Sequence, residues 1–102
     1  MIILAGYVYV NSSERDRYIT AFMHYTKRTR HAPGCRDVAI SPDPVDPTRV
    51  NIFELWDSKG RMERYRVQTV VPNSGVEIHG GTLQEFLIES VRSPFDPHTK
   101  KE

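Results

Sequence analysis

The sequence predicts an α+β fold in which strands and helices follow the order β-α-β-β-α-β. Residues 2–10 are rich in β-branched and aromatic side chains, which is typical of a strand. Residues 13–31 carry apolar side chains at helical spacing and are followed by Pro33-Gly34, a helix stop. Two further strand-like runs flank a turn that contains three prolines, which is too rigid to pair as a central strand. This order is that of the ferredoxin-like unit.

The second half of the chain is assigned from the same signals. Residues 36–41 and 49–56 form the second and third strands, and Ser58 can cap a second helix that carries Met62 and Tyr65. Residues 67–81 have poor periodicity. Turns are predicted at Pro72-Asn73-Ser74-Gly75 and at Gly80-Gly81, so we expect an irregular excursion here.

A last strand is predicted over about residues 83–91. Residues 1–92 are therefore interpreted as one ferredoxin-like domain, and residues 93–102 as a flexible tail.

Composition excludes several classes of protein. The net charge of +1 argues against nucleic acid or an acidic membrane as a partner. The single cysteine, Cys35, excludes an internal disulfide and a multi-cysteine metal site. No apolar run approaches a membrane span, and no signal peptide is recognisable, so a cytoplasmic protein is expected. There is no phosphate loop, dinucleotide fingerprint or histidine pair with metal spacing, so we expect neither a bound cofactor nor a metal.

The first strand is apolar on both faces. Two helices cover only one face of a four-stranded sheet, so the other face needs another cover. A second copy of the same sheet is the simplest one, which predicts a homodimer. We expect the face that carries Leu4, Val8 and Val10 to form the interface.

The stretch from Pro33 to Trp56, with its flanking helices, resembles the antibiotic biosynthesis monooxygenase family over roughly residues 1–67. The matching motifs are Pro33-Gly34-Cys35, the Asp43…Asp46-Pro47 turn and Glu54-x-Trp56-x-Ser58. The resemblance implies a dimeric α+β barrel. It also implies a cofactor-independent monooxygenase that oxidises an anthrone- or phenol-type polyketide, or a quinol, with O₂ to a quinone.

Family members that degrade haem hold its iron with a histidine on or just after the second helix. Residues 58–75 contain no histidine, which disfavours haem degradation for this chain. An isomerase or cyclase, or a non-catalytic dimer that binds aromatic ligands, remains as an alternative function.

The candidate site is an aromatic, partly polar pocket between the sheet and the helices. Tryptophan offers a stacking face and an N–H donor, and tyrosine a hydroxyl for proton transfer. The candidate catalytic residues are Tyr65, Trp56, Asn51 and His24. The candidate residues for binding a small aromatic substrate are Tyr7, Tyr9, Tyr25, Phe53, Met62 and His79.

Several roles within this pocket stay open. Trp56 and Tyr65 are expected to approach each other across the corner between strand and helix. Asn51 either polarises a substrate carbonyl or serves the turn, and by strand parity it points away from Trp56 unless a bulge intervenes. Glu54 stabilises the strand or the dimer, or acts as a general base. His24, His79 and a tyrosinate are the other candidates for the base, and the sequence does not choose among them.

Overall fold

The computed structural model describes residues 1–95. The elements are β1 (Ile2–Tyr9), a 3₁₀ turn (Ser12–Glu14), α1 (Arg15–Ala21), α2 (Met23–Thr29), β2 (Cys35–Pro42), β3 (Arg49–Trp56), α3 (Lys59–Gln68) and β4 (Gly80–Leu87). The strands form one antiparallel sheet in the order β2-β3-β1-β4. The predicted ferredoxin-like fold is confirmed. Residues 93–95 of the predicted tail have no helix or strand, and its remainder, 96–102, lies outside the described residues.

The first helical region is interrupted, where the sequence predicts one helix over residues 13–31. Phe22 separates α1 from α2 with φ −92° and ψ 3°, and its N–H donates to the Ile19 carbonyl at 3.1 Å. The chain resumes helical bonding at once, because the Thr26 N–H donates to the Phe22 carbonyl at 2.9 Å. The region begins at Asn11, whose side chain accepts a hydrogen bond from the Ser13 N–H.

The last strand begins and ends earlier than predicted, at Gly80 and Leu87 instead of about 83 and 91. Gly80 and Gly81, which the sequence analysis interprets as a turn, pair with Tyr9 and Val8 of β1. Both glycines adopt positive φ, 154° and 148°, a region that side chains disfavour. The irregular excursion predicted after α3 is present as residues 69–79, which contain no helix or strand.

The two faces of the sheet differ in what covers them. Leu4 and Val10 are buried, and Val10 packs in a cluster with Tyr18 of α1. The face that carries Leu4, Val8 and Val10 is therefore the one covered by the helices, and its assignment to a dimer interface is wrong. Because β1 carries apolar residues on both faces, the sequence alone does not show which face the helices cover. The opposite face, which we call the open face, carries the half-exposed side chains Ile3, Ala5, Tyr7, Tyr9, Phe53 and Leu55.

A second buried cluster joins the start of β1 to the end of β3 and to α3. It consists of Ile2, Trp56 and Met62, each with no exposed surface, and Tyr65 packs against it. Ser58 starts α3 by accepting a hydrogen bond from the Arg61 N–H, as predicted. Within residues 1–95, no helix has both the length and the apolar character needed to cross a membrane.

Gly6 of β1 marks a close approach of two backbones. A Cβ placed there would lie 2.0 Å from the Thr82 carbonyl oxygen of β4, whereas a Cβ on Gly60 of α3 would meet nothing within 4 Å. Gly6→Ala should therefore lower the free energy of unfolding, because β4 must move away from β1. Gly60→Ala should raise it by about 0.5–1 kcal/mol, the usual gain from alanine within a helix.

Urea unfolding of the two variants and the parent measures both effects. Equal stability of Gly6→Ala and the parent would contradict this packing of β1 against β4.

Candidate functional site

A cavity of about 310 Å³ lies between the sheet and the helices. Every strand and helix contributes to its lining, which consists of Leu4, Tyr18, Phe22, Tyr25, Ile40, Ile52, Glu54, Arg66, Thr69, Val71 and Leu83. The exposed side chains of Arg66, Val71 and Leu83 mark its open side. Its volume is at the lower end of the range for small-molecule sites.

Glu54 is the one carboxyl group in this lining, and it is only 5% exposed. Its Oε1 accepts a hydrogen bond from the Trp56 indole N–H at 2.9 Å, and its Oε2 one from the Tyr25 hydroxyl at 3.4 Å. Among residues 1–95, no salt bridge within 4.0 Å involves Glu54. Two neutral donors thus hold the carboxyl group, and in the described part of the chain no cationic group lies within 4.0 Å of it.

Tyr25 stands beside this carboxyl group on α2. Burial, followed by the charge of Glu54, raises the pKa of Tyr25 to about 12. Its phenol therefore stays protonated at neutral pH and acts as a hydrogen-bond donor.

Trp56 and Tyr65 approach each other as the sequence predicts. Their ring centroids are 5.5 Å apart with an interplanar angle of 42°. Trp56 is fully buried and does not line the cavity, so its N–H serves Glu54 while its ring packs in the core. It offers no free face on which a planar substrate could stack.

The Tyr65 hydroxyl faces the helices rather than the cavity. It shares a 2.8 Å hydrogen bond with the hydroxyl of Thr29, a fully buried residue in the last turn of α2. Partial burial raises the pKa of Tyr65, but hydrogen bonds from Thr29, Thr69 and Arg28, with the Arg28 charge, outweigh it, so the net pKa is lowered.

Four predicted site residues lie on the open face, away from the cavity: Tyr7, Tyr9, Asn51 and Phe53. Asn51 serves the turn between β2 and β3, because its amide donates to Asp43 at 2.9 Å and accepts from Arg49 at 2.7 Å. The Arg49 guanidinium also lies over the Tyr7 ring, 3.8 Å from its centroid. The structure therefore does not bring these residues together with Trp56 and Tyr65 in one pocket.

The remaining three predicted residues are also outside the lining. His24 is exposed on α2 and borders an open cleft with Arg28 and Thr69. His79 is exposed immediately before β4 and borders another cleft beside Tyr9. Met62 is fully buried in the core. Of the candidate catalytic and substrate-binding residues, only Tyr25 lines the cavity, together with Glu54, whose role the sequence left open.

A family model described as antibiotic biosynthesis monooxygenase matches residues 1–69. The chain belongs to this family. Its match ends one residue after α3, so the family pattern covers the strand and helix that carry Glu54, Trp56 and Tyr65.

Solved structures of the family share the fold. A candidate antibiotic biosynthesis monooxygenase from Deinococcus radiodurans matches with TM-score 0.76 and 18% identity, covering 91% of this chain and 97% of that one. One from Nitrosomonas europaea matches with TM-score 0.74 and 13% identity, covering 88% and 100%. The haem degrader MhuD from Mycobacterium tuberculosis, with two haems in its active site, matches with TM-score 0.66 and 13% identity, covering 91% and 100%. No curated protein sequence matches the chain.

Of the helical wall of the cavity, only Tyr25 was predicted from the sequence as a site residue. Tyr18, Phe22, Tyr25 and Thr29 follow one another at spacings of four, three and four residues, which places them on one helix face. Glu54 was named from the sequence as a possible base, and its charge between Ile52 and Trp56, on a strand face that is otherwise apolar, is the signal that favours this interpretation.

The Asp43 carboxylate stabilises the turn between β2 and β3 by accepting hydrogen bonds. The hydrogen bond from Asn51, then those from the N–H groups of Asp46 and Val45, lower the pKa of Asp43 from 3.8 to about 2. Because the folded-state pKa lies below the ordinary value, this stabilisation is complete above about pH 3.8 and is lost as the pH falls toward 2.

The free energy of unfolding, measured in urea from pH 5 down to 2.5, should therefore show a gap between the parent and Asp43→Asn that narrows as the pH falls. Asp16→Asn, an exposed position on α1, is the control and should show no such gap. A gap for Asp43→Asn that stays constant with pH would contradict the assignment.

Proposed function

We propose that the protein is a cofactor-independent monooxygenase that oxidises a small, electron-rich hydroxyarene with O₂ in the cavity above Glu54. The observation that carries this proposal is a buried carboxyl group that opens into a lining of mostly apolar and aromatic side chains. Membership of the family supports oxygenase chemistry, and the cavity's volume suits a molecule of two or three fused rings, such as a naphthohydroquinone or an anthrone.

Glu54 is the proposed base because it is the group that reaches the substrate. Neither His24 nor His79 lines the cavity. Tyr25 has a pKa of about 12, so it stays protonated at neutral pH and does not serve as the base. A substrate hydroxyl directed at Glu54 loses its proton to the carboxylate. Arg66, on the open side, supplies positive charge that favours the resulting arenolate.

The arenolate then reacts with O₂ directly. One electron passes to O₂, and the arenoxyl radical and superoxide combine to form a carbon–oxygen bond. The peroxide takes up a proton, the O–O bond breaks with loss of the ring C–H proton, and water leaves. The balance is hydroxyarene plus O₂ to quinone plus water, with the substrate as the sole reductant. The apolar walls keep bulk water from the anion.

The haem chemistry of the relative MhuD does not fit the residues of this cavity. The lining contains no histidine, cysteine or methionine to serve as an axial ligand. Burial raises the pKa of Tyr18 and of Tyr25, which opposes ligation by a tyrosinate. Within residues 1–95, no cluster of three histidine, cysteine or acidic residues is placed to hold a metal ion.

An isomerase or cyclase is the second candidate, favoured by the contact between Glu54 and Tyr25. A proton acceptor and a hydroxyl donor side by side can move a proton between two carbon atoms of one ligand. Such a protein would convert its ligand without consuming oxygen, and a non-catalytic binding dimer would leave it unchanged.

An oxygen electrode separates these functions. Chelator-treated protein should consume O₂ with at least one member of a panel of anthrones and naphthohydroquinones. Glu54→Gln keeps an acceptor for Trp56 but loses the base, so turnover should fall by about 100-fold or more. Glu89→Gln, at an exposed position outside the cavity, should retain full turnover.

Full activity of Glu54→Gln would remove Glu54 from the mechanism. No uptake with any member of the panel would contradict the monooxygenase itself.

We also propose that the protein is a homodimer whose subunits meet through the open face. Phe53 lies at its centre, opposite Ala5 and Ala39 on the neighbouring strands, and the helices leave this face uncovered. A second copy presents the same apolar strip, and the two strips can pack around a two-fold axis.

Light scattering should therefore give about twice the chain mass of 11.8 kDa. Phe53→Glu should yield folded monomers, since it places a charge at the centre of the interface. Met23→Glu introduces the same change on the exposed side of α2 and should leave the dimer intact. A monomeric parent at micromolar concentration would refute the dimer.

A further inference from the structure

Two polar or charged side chains are buried within residues 1–95, one on β3 and the other on α2, four residues after Tyr25. These are Glu54, 5% exposed, and Thr29, fully buried. A helical threonine commonly satisfies its hydroxyl on a carbonyl one turn earlier, as Thr26 does on the Phe22 carbonyl at 2.9 Å. The Thr29 hydroxyl instead pairs with a side chain of α3, so its burial serves a contact between helices.

Three hydroxyl groups, those of Tyr25, Thr29 and Tyr65, lie in a row that begins at Glu54. The Tyr25 hydroxyl lies 3.4 Å from Glu54. Thr29 follows one helical turn along α2, close enough for its hydroxyl to lower the pKa of Tyr25. Thr29 in turn lies 2.8 Å from the Tyr65 hydroxyl. Tyr65 is half-buried, and the exposed Arg28 stands beside it. The row therefore runs from the cavity floor through the helix layer toward solvent.

We propose that Tyr25, Thr29 and Tyr65 form a proton relay that connects the Glu54 carboxyl group with solvent. The relay rests on the proposed function in one respect, the role of Glu54 as the base. It assigns to Thr29 and Tyr65 a positioning and proton-transfer role without contact with the substrate.

Each hydroxyl can donate one hydrogen bond while it accepts another, which is the requirement for passing protons. After Glu54 takes the substrate proton, it donates to Tyr25, Tyr25 donates to Thr29, Thr29 donates to Tyr65, and Tyr65 releases a proton to water. The reverse sequence returns a proton when the peroxide needs one, so no net proton is consumed. Trp56 donates a hydrogen bond to Glu54 but does not pass protons, because its indole N–H can only donate.

The surrounding charges favour an exit at Tyr65. Besides Tyr25, the groups that face Glu54 and its neighbours are Cys35 of β2, whose pKa burial and then Glu54 raise to about 11, and Arg66 of α3. Cys35 thus stays a neutral thiol. Arg28 of α2 faces the outer end and favours transient loss of a proton from Tyr65.

Thr29→Val tests the relay because it keeps the shape of the side chain and removes its hydroxyl. With a substrate that the parent oxidises, kcat should fall by about 10-fold or more. KM should stay unchanged, and the solvent isotope effect on kcat should change. Thr29→Ser should restore most of the rate, and Thr26→Val, on the same helix, should behave as the parent. Parent-like kcat and isotope effect in Thr29→Val would overturn the relay.

A second readout needs no turnover. Tyrosine ionisation is followed by absorbance near 295 nm, and Tyr65→Phe identifies the step that belongs to Tyr65. In folded Thr29→Val this step should move to higher pH, because a hydrogen bond that stabilises the phenolate is lost. An unmoved step would overturn the relay. If the parent turns over no substrate but the step moves, the monooxygenase fails while the hydroxyl row stands.

Discussion

The burial of the Glu54 carboxyl group is the constraint on which the rest of the site depends. A carboxyl group in an apolar layer needs hydrogen-bond donors, and each bond to a charged group contributes about 1.5–3 kcal/mol. Trp56 supplies one donor from the same strand and Tyr25 the other from α2. Meeting this need fixes the Trp56 indole in the core and draws α2 toward β3. The same arrangement leaves the carboxyl group at the edge of a cavity, where a ligand can reach it.

The two faces of the sheet carry different features. The helix-covered face holds the cavity and both buried clusters. The open face holds the Asp43–Arg49–Asn51 network, which fixes the β2–β3 turn, and the apolar strip around Phe53. The proposed dimer contact and the proposed active site therefore use different side chains. The close approach of β1 and β4 at Gly6 keeps the edge strand, and with it Leu83, beside the cavity.

The order of elements, the third strand and the contact between Trp56 and Tyr65 could be predicted from the sequence because each depends on local signals. The covered face of β1 could not, since Leu4 and Tyr7 both suit burial and only the packing of α1 and α2 decides between them. Gly80 and Gly81 were predicted as a turn because two consecutive glycines are typical of one. Their strand conformation, with positive φ, depends on pairing with β1, which the local sequence does not reveal. The burial of Glu54 and Thr29 could not be predicted either, because it depends on the packing of β3 against α2.

A crystal structure with a hydroxynaphthalene that resists oxidation tests the central claim most directly. The account predicts the ring between the sheet and the helices, with its hydroxyl within about 3 Å of a Glu54 oxygen, the usual hydrogen-bond distance. Ligand density on the open face beside Tyr7 and Asn51, with the cavity above Glu54 empty, would contradict it.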